Sequence, residues 1–487
     1  MSEQAQARGV AGVVVLAAGA GTRMKSRTSK LLHQVAGRSM LSYAISAADA
    51  LQPENLVVVV GHEREQVEAH LGEIAPHVVT AVQENQNGTG DAVRCGLAPL
   101  RDVRGEVVVT YGDVPLLTGE TLMDLVAAHR AHGDAVTLLT AEVDEPHGYG
   151  RIVRDADGDQ VAAIVEQKDA TPEQVAIREI NAGIYVFEAD VLREGLESLT
   201  TDNAQGELYL TDVVKFARGK GLSVHSLVLA DRWQTEGVND RVQLAALNKE
   251  YNRRLIEKAQ RAGVTIVDPD TTWLHDTVDL APDVTILPGT SLEGATSVAS
   301  GATIGPDTTL VDVEVGEDAT VVRTHGSLAV IGAGASVGPF AYLRPGTELG
   351  AGGKIGTFVE TKNAKIGPGA KVPHLTYAGD ADIAEGANIG AGTIFANYDG
   401  VNKSRTSIGR YSFVGSNSVL VAPVDVADGA YVAAGSAITD PVGAGELGIA
   451  RGKQRNIPGW VESRRAGTKT HLAATEAGDT REGTSEQ

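Results

Sequence analysis

The sequence predicts two architectures in one chain: an α/β domain with a mostly parallel sheet, followed by a triangular β-solenoid. Three observations carry this reading. In the first half, short β-rich runs (Leu56–Val60, 107–110 and 135–140) alternate with helical stretches such as 121–131. Past one long helical segment, aliphatic residues recur every six positions. The chain also carries 57 glycines but only 4% aromatic residues, a balance that favours repetitive β-structure over a large aromatic core. At 487 residues it exceeds what one core supports, so two or three domains are expected.

The first element is the apolar run 13–15, which empties into LAAGAGTRMKSRTSK over 16–30. Glycine lets the backbone approach a ligand closely, and bare N–H groups at a helix start, with Arg23, Lys25 and Lys30 nearby, favour an anion. The pattern reads as a phosphate cradle or as an ordinary strand-to-helix turn. In parallel sheets ligands sit beyond the carboxyl ends of strands. This stretch lies at such an end, and so does Tyr111-Gly112-Asp113 after 107–110. Asp113 there is a turn former or a carboxylate for Mg²⁺, an ion that takes few protein ligands and keeps phosphate and water oxygens. Gln83, Gly88 and Thr89 lie in QENQNGTGDA, a loop whose amide and backbone groups suit the edges of a nucleobase.

Residues 239–262 read as one helix that bridges the domains. Val242, Leu244, Leu247, Tyr251, Leu255 and Ala259 recur at roughly helical spacing, and Gly263 suits its end. Beyond it Leu280, Ile286, Leu292, Val298, Ile304 and Leu310 are six apart, and the beat returns over 331–355 and 408–438. Each aliphatic fills an inside corner of a coil made of three hexapeptides, and stacked coils pair their strands. The beat breaks over 357–364, 372–380 and 397–405, which are expected to be outside loops that carry function. The polar tail from 459 onward is expected to be disordered.

Several classes are excluded. A net charge of −21 disfavours nucleic acid and anionic membranes as partners. Cys95 is the only cysteine, which rules out an internal disulfide or a cysteine zinc cluster. No apolar run suggests a signal peptide or a membrane span, so a cytoplasmic location is expected. His374 stands in VPHLTYAGD, inside a break of the repeat, with Arg344, Lys362 and Tyr377 near it in sequence. Two cations and a phenol can grip a sugar phosphate, and an imidazole can take a proton from an amine, although a lone histidine is often structural.

LAAGAGTRM, YGD, NAGIY and the hexapeptides around HLTYAGD together resemble the bifunctional N-acetylglucosamine-1-phosphate uridylyltransferase/glucosamine-1-phosphate acetyltransferase family over nearly the whole chain. The first motif alone marks only the wider class of sugar-nucleotide pyrophosphorylases, and HLTYAGD on a hexapeptide solenoid narrows it. The resemblance implies a Rossmann-like nucleotidyltransferase domain (1–238), a linker helix (239–262), a left-handed parallel β-helix acetyltransferase domain (263–458) and the tail (459–487). It implies that Leu16, Ala17, Ala18 and Gly19 contact the nucleotide, Arg23 and Lys30 its phosphates, and Gln83, Gly88 and Thr89 its uracil. Asp113 and Asn239 are expected to bind Mg²⁺, and Gly150, Glu166 and Asn181 the N-acetylglucosamine phosphate. In the second domain, Arg344, Lys362, Tyr377 and Asn388 would hold glucosamine 1-phosphate and His374 would be the general base. Asn397, Tyr398, Ser416, Ala434 and Arg451 would contact acetyl-CoA. UTP and acetyl-CoA are the implied co-substrates, and a homotrimer with acetyl-transfer sites between adjacent solenoids is the implied assembly.

One position departs from the family pattern: Ser29 stands where a proline usually precedes the lysine. That makes the loop less pre-organised. Two other readings remain: a single-activity sugar-1-phosphate nucleotidyltransferase with a structural β-helix, and a non-catalytic regulatory subunit. The second would be expected to lack Arg23, Lys30 or Asp113, and all three are present.

Overall fold

The structure, a computed structural model, describes residues 9–61 and 64–482, the last five of these as backbone only. The chain divides into two compact units, the first ending at Leu328 and the second beginning at Ala329.

The first unit opens on a nine-stranded sheet. Its elements are β1 (Gly12–Ala17), α1 (Met40–Asp49), β2 (Leu56–Val60), α2 (Arg64–Ile74), β3 (Val79–Val82), α3 (Thr89–Leu97), β4 (Glu106–Tyr111), α4 (Gly119–His132), β5 (Val136–Glu142), β6 (Arg151–Arg154), β7 (Val161–Val165), β8 (Glu179–Glu188), α5 (Ala189–Glu197), α6 (Asp212–Gly219) and β9 (Val224–Leu229). The main path runs β9-β5-β8-β4-β1-β2-β3, with β6 and β7 attached beside β8. β1 pairs in parallel with both β2 and β4, and β8 is antiparallel to β4 and β5. The order 3-2-1-4 reverses direction between β1 and β4, and a ligand crevice is expected there beyond their carboxyl ends.

Period-2 alternation explains why β1 is buried throughout. Val14 and Leu16 join Val57, Val59, Val107 and Val109 in a core on one face, with α3, α5 and α6. Val13, Val15 and Ala17 join Leu56, Val58, Val60 and Val108 on the other face, with α1, α2 and α4. Helices cover both faces, so these strands read as continuous apolar runs. The stretch after β1 differs from expectation. It enters a three-residue 3₁₀ turn, Thr22–Met24, and α1 starts only at Met40. So short a turn has no aligned macrodipole, and any anion binding there falls to loop N–H groups and basic side chains.

The long helix, α7 (Arg241–Arg261), is capped by Asp240, whose side chain accepts from the N–H groups of Val242 and Gln243. It buries Leu247 against Met24, Val35, Met40, Tyr43, Leu116 and Val238. Its Asn252 is buried, donating to Thr272 O and accepting from Leu274 N. That amide fixes the helix to the start of the solenoid. Val242, which its spacing placed on the apolar stripe, is 79% exposed in the first turn.

Coils then stack in register. Ile266, Ile286, Ile304 and Val321 form one column, and Leu274, Leu292 and Leu310 another. In the second unit Ile331, Leu349, Ile366, Ile383, Ile408 and Val426 form a column, as do Phe395, Leu420 and Ile438. The ladders are those of a left-handed parallel β-helix of hexapeptide coils.

Two of the three breaks are not loops. Residues 360–366 and 377–383 are seven-residue strands within the ladders, Glu360–Ile366 and Tyr377–Ile383. The coil shortens from 18 residues to 17 there (Ile355 to Val372, Leu349 to Ile366). Buried Thr361, Ala364, Ala378 and Ala381 stand inward in place of large aliphatics. Only 397–405 leaves the ladder: 25 residues separate the paired Ile383 and Ile408. The tail also differs from expectation, with helices Trp460–Arg465 and Lys469–Glu482, while 483–487 lie outside the described residues.

Candidate functional site

The crevice predicted by the strand order is present. A cavity of about 310 Å³ at the ends of β1 and β4 is lined by Leu16, Ala17, Ala18, Gly19, Lys30 and Asp113, with Gln83, Gly88 and Thr89 on its other side. The Lys30 ammonium is paired with Asp113 Oδ2 and donates to Asn239 Oδ1 at 3.4 Å. Arg23 Nη2 donates to the same Asn239 oxygen at 2.9 Å. A carboxylate and an amide oxygen 126 residues apart therefore converge on one cation-sized point. Chain geometry enforces this, since Val238 N–H donates to Asp113 O at 3.0 Å. Gly21 has φ 57°, and a Cβ there would lie 2.7 Å from Lys30 Cβ, so the loop closes over the lysine only with glycine. Ser29 holds φ −50°, and its N–H donates to Gln66 Oε1.

The opposite wall is anchored from a distance. Gln83 is buried, and its Nε2 donates to Gly88 O and to Asp91. Thr89 Oγ1 accepts from Leu210 N, and Gly88 (φ 105°) has no room for a Cβ against Leu208 O at 2.6 Å. Gly150, Glu166 and Asn181 also meet: a Cβ on Gly150 would lie 3.5 Å from Glu166 Oε1 and 3.6 Å from Asn181 Cβ. Asn181 Nδ2 donates to Tyr185 OH at 2.7 Å. Burial pushes the Glu166 carboxyl above its ordinary value. Tyr111 feels the charges of both Asp113 and Glu166, and thus joins this group to the crevice.

In the second unit the cluster is built by register. Lys362 stands opposite Gly379, and Tyr377 opposite Glu360, on neighbouring coils. Arg344 Nη1 donates to Glu360 Oε1 at 2.9 Å and lies within electrostatic reach of Tyr377 and Lys362. Lys403, which approaches Lys362 from the 397–405 excursion, and Arg344 beside it hold the Lys362 ammonium below its ordinary value by like-charge repulsion. Crowded cations of this kind favour an anion between them. Asn397 is buried. Its Nδ2 donates to Asp380 Oδ2 at 2.5 Å and reaches Tyr377 OH at 3.5 Å. Asn363 donates to the other Asp380 oxygen at 2.6 Å. Burial alone would raise Asp380, but these amides and the lysines hold it below its ordinary value.

His374 is exposed, at the end of the strand Lys371–His374. Its carbonyl accepts from Thr376 Oγ1 and from Gly392 N. Asn388 pairs with Lys371 on the next coil. Ser416 and Ala434, both exposed, stack on one corner, where Gly435 N–H donates to Ser416 O and Arg451 Nη1 to Ala434 O. Tyr398 is 59% exposed on the excursion. Sequence reasoning missed Lys403 and Asp380 of this cluster, and Gln86 and Glu207, which also line the crevice of the first unit. Asp380 and Gln86 stood inside the quoted motifs HLTYAGD and QENQNGTGDA, whereas Lys403 and Glu207 lie in none of them.

A crevice at a sheet switch point with a carboxylate, an amide and two cations, on a chain that continues into a hexapeptide β-helix, defines a nucleotide-using transferase. Residues 12–240 match the nucleotidyl transferase family. The bifunctional protein GlmU of Kineococcus radiotolerans is 56% identical over 475 residues, covering 97% of this chain and 96% of that one. The proteins of the same name from Rhodococcus opacus and Mycolicibacterium gilvum are each 57% identical, over 96% and 95% of this chain and 95% and 94% of theirs. The chain belongs to the bifunctional GlmU family.

Proposed function

We propose that the crevice of the first unit transfers a uridylyl group from UTP to N-acetylglucosamine 1-phosphate, releasing pyrophosphate. The cluster of the second unit first transfers acetyl from acetyl-CoA to the amine of glucosamine 1-phosphate. The product, UDP-N-acetylglucosamine, would serve peptidoglycan synthesis. The observation that carries the first half is the convergence of Asp113, Asn239, Lys30 and Arg23 at the ends of β1 and β4. Asp113 and Asn239 offer hard oxygens aimed at one point, as Mg²⁺ requires, and when bound the ion would neutralise phosphate charge there. Arg23 and Lys30 hold the leaving phosphates. Leu16, Ala17, Ala18 and Gly19 bring backbone to the nucleotide. Gln83 has its amide nitrogen committed, so its carbonyl oxygen is the acceptor for a uracil N–H, beside Gly88 and Thr89. Gly150, Glu166 and Asn181 bind the acetylated sugar phosphate. This chemistry is mostly positioning and charge neutralisation.

In the second unit, Lys362 and Arg344 clamp the sugar phosphate, with Tyr377 and Asn388 at the sugar. The exposed His374 takes a proton from the amine as it attacks the thioester. Asn397, Tyr398, Ser416, Ala434 and Arg451 lie along the path for acetyl-CoA. A cytoplasmic homotrimer is the proposed assembly. In its support, Phe340, Phe358 and Leu375, all at left-handed corners and 50–60% exposed, form an apolar ridge that ends beside His374. Such a ridge suits a neighbouring solenoid. The functional division is taken as 1–238, 239–262 and 263–458. No helix among the described residues is long and apolar enough to cross a membrane. Assaying the two half-reactions separately tests the reading: thiol release from acetyl-CoA with glucosamine 1-phosphate, and pyrophosphate release from UTP with N-acetylglucosamine 1-phosphate. Absence of either activity in the intact protein overturns the corresponding half.

A further inference from the structure

At the amino ends of β5 and β9 lies a second group of titratable side chains. β5 and β9 run parallel to each other, and through two antiparallel pairings in the same sense as β1 and β4. This group is therefore at the edge of the sheet opposite the nucleotide crevice. His132 closes α4. Gly133 ends that helix in a left-handed conformation (φ 64°), which turns the chain so that Asp134 points back under His132. His225 is the second residue of β9 and pairs with Thr137 of β5. One donor atom from each of His132, Asp134 and His225 lies within 4.8 Å of the others.

The Asp134 carboxylate has no solvent exposure. Burying a charge is costly unless it is compensated. Among the described residues its ion pairs are with imidazoles alone: His225 Nδ1 at 2.6 Å from Oδ1, and His132 Nδ1 at 3.7 Å from Oδ2. Thr137 Oγ1 donates to Oδ2 at 2.9 Å and orients the carboxylate. His225 faces a second carboxylate, Asp159, 3.6 Å from its Nε2. A neutral imidazole carries one N–H. It can serve one of these carboxylates and sets a lone pair against the other. A cation that replaces the proton between Nδ1 and Asp134, with the two atoms parting from 2.6 Å to about the 3.3 Å that two tetrahedral zinc bonds require, removes that conflict and leaves Nε2–H for Asp159. Carboxylate, histidine and metal in line are the arrangement that fixes a ligating imidazole.

We propose that His132, Asp134 and His225 bind one divalent transition-metal ion of the zinc class, clamping the edge strand β9 to the end of α4. Two imidazoles and one carboxylate suit zinc and leave a fourth place for water, whereas Mg²⁺ prefers an all-oxygen set. His132, 53% exposed at its side chain, is the ligand with room to swing in, and His225 and Asp134 are held by the sheet.

The test uses the full chain, stripped with a chelator and returned to buffer containing excess Mg²⁺, then dialysed against Zn²⁺. The wild type is expected to retain one equivalent of zinc more than His132→Ala/His225→Ala, and zinc should raise Tm only in the wild type. Co²⁺ in place of Zn²⁺ should give the visible absorption of a tetrahedral site in the wild type alone. His132→Ala by itself, at a half-exposed position, guards against misfolding and should weaken zinc binding by about tenfold or more. Asp113→Asn should leave the extra equivalent in place. Loss of that equivalent in Asp113→Asn would place the zinc in the nucleotide crevice and overturn the proposal. Equal zinc binding by wild type and histidine variants, or none by the wild type, would overturn it too and leave the cluster held by protons.

Discussion

The crevice of the first unit and the cluster of the second are assembled in opposite ways. Lys30, Asp113 and Asn239 come from three distant parts of the chain, and a two-faced core of valines and leucines brings them together. Arg344, Lys362 and Tyr377 lie on three successive coils about 4.8 Å apart, and register sets what each one faces: Tyr377 stands opposite Glu360 and Lys362 opposite Gly379. The first site therefore depends on the global fold, and the second on local repetition. In the first, a misplaced residue is moved by distant packing. In the second, it is moved by a slip of its own coil.

The largest effects should separate the two sites. His374→Ala is expected to lower acetyl transfer by about 10²–10⁴-fold and leave pyrophosphate release intact. Asp113→Ala should lower uridylyl transfer by about 10²–10³-fold and spare thiol release. If either folded variant lost both activities, the sites would not be independent. Next in size, Phe395→Ala empties a fully buried position of the solenoid and should cost ~3–5 kcal/mol, seen as a lower Tm. Under partial denaturation it should impair acetyl transfer before uridylyl transfer, because it loosens one coil rather than the α/β core.

Asp380→Asn probes the polar pins of the same cluster. It removes a charged acceptor from Asn363 and Asn397, and should cost ~1–3 kcal/mol, nearer the lower figure with solvent screening. The folded Asp380 has a lowered pKa, so its contribution is present above the unfolded value of about 4 and lost as pH falls through the folded one. The difference in stability between wild type and variant should therefore shrink as the pH is lowered from 6 to below 4. A difference that grows on acidification would contradict the assignment. The smallest effect is expected for Ser29→Pro. The native φ of −50° already suits proline, which adds ~0.4–1 kcal/mol, while the N–H bond to Gln66 is lost at ~0.5–1.5 kcal/mol. Tm should move by a few degrees at most, with uridylyl transfer unchanged.

Much of this was legible in residues taken alone. The stacked pairs Ile286–Ile304 and Leu292–Leu310 follow from a six-residue beat, because a buried corner admits only an aliphatic there. The glycine loop and Asp113 could be placed at strand ends, since apolar runs mark buried parallel strands. The beat misled at 357–364 and 372–380. A coil one residue shorter, lined by threonine and alanine, stays in its ladder although the aliphatic signal vanishes. Lys403 carried no signal, because its meaning is its distance from Lys362, and a sequence records no distance between side chains.

Chemical type and spacing by themselves determined the two architectures and placed the glycine loop and Asp113 at the ends of buried strands. Only the tertiary structure decided that Lys30 is shared between Asp113 and Asn239, and that Asp134 is sealed beneath two histidines. The physical reason is that periodicity encodes which faces are buried, whereas the convergence of distant polar groups depends on how those buried faces pack.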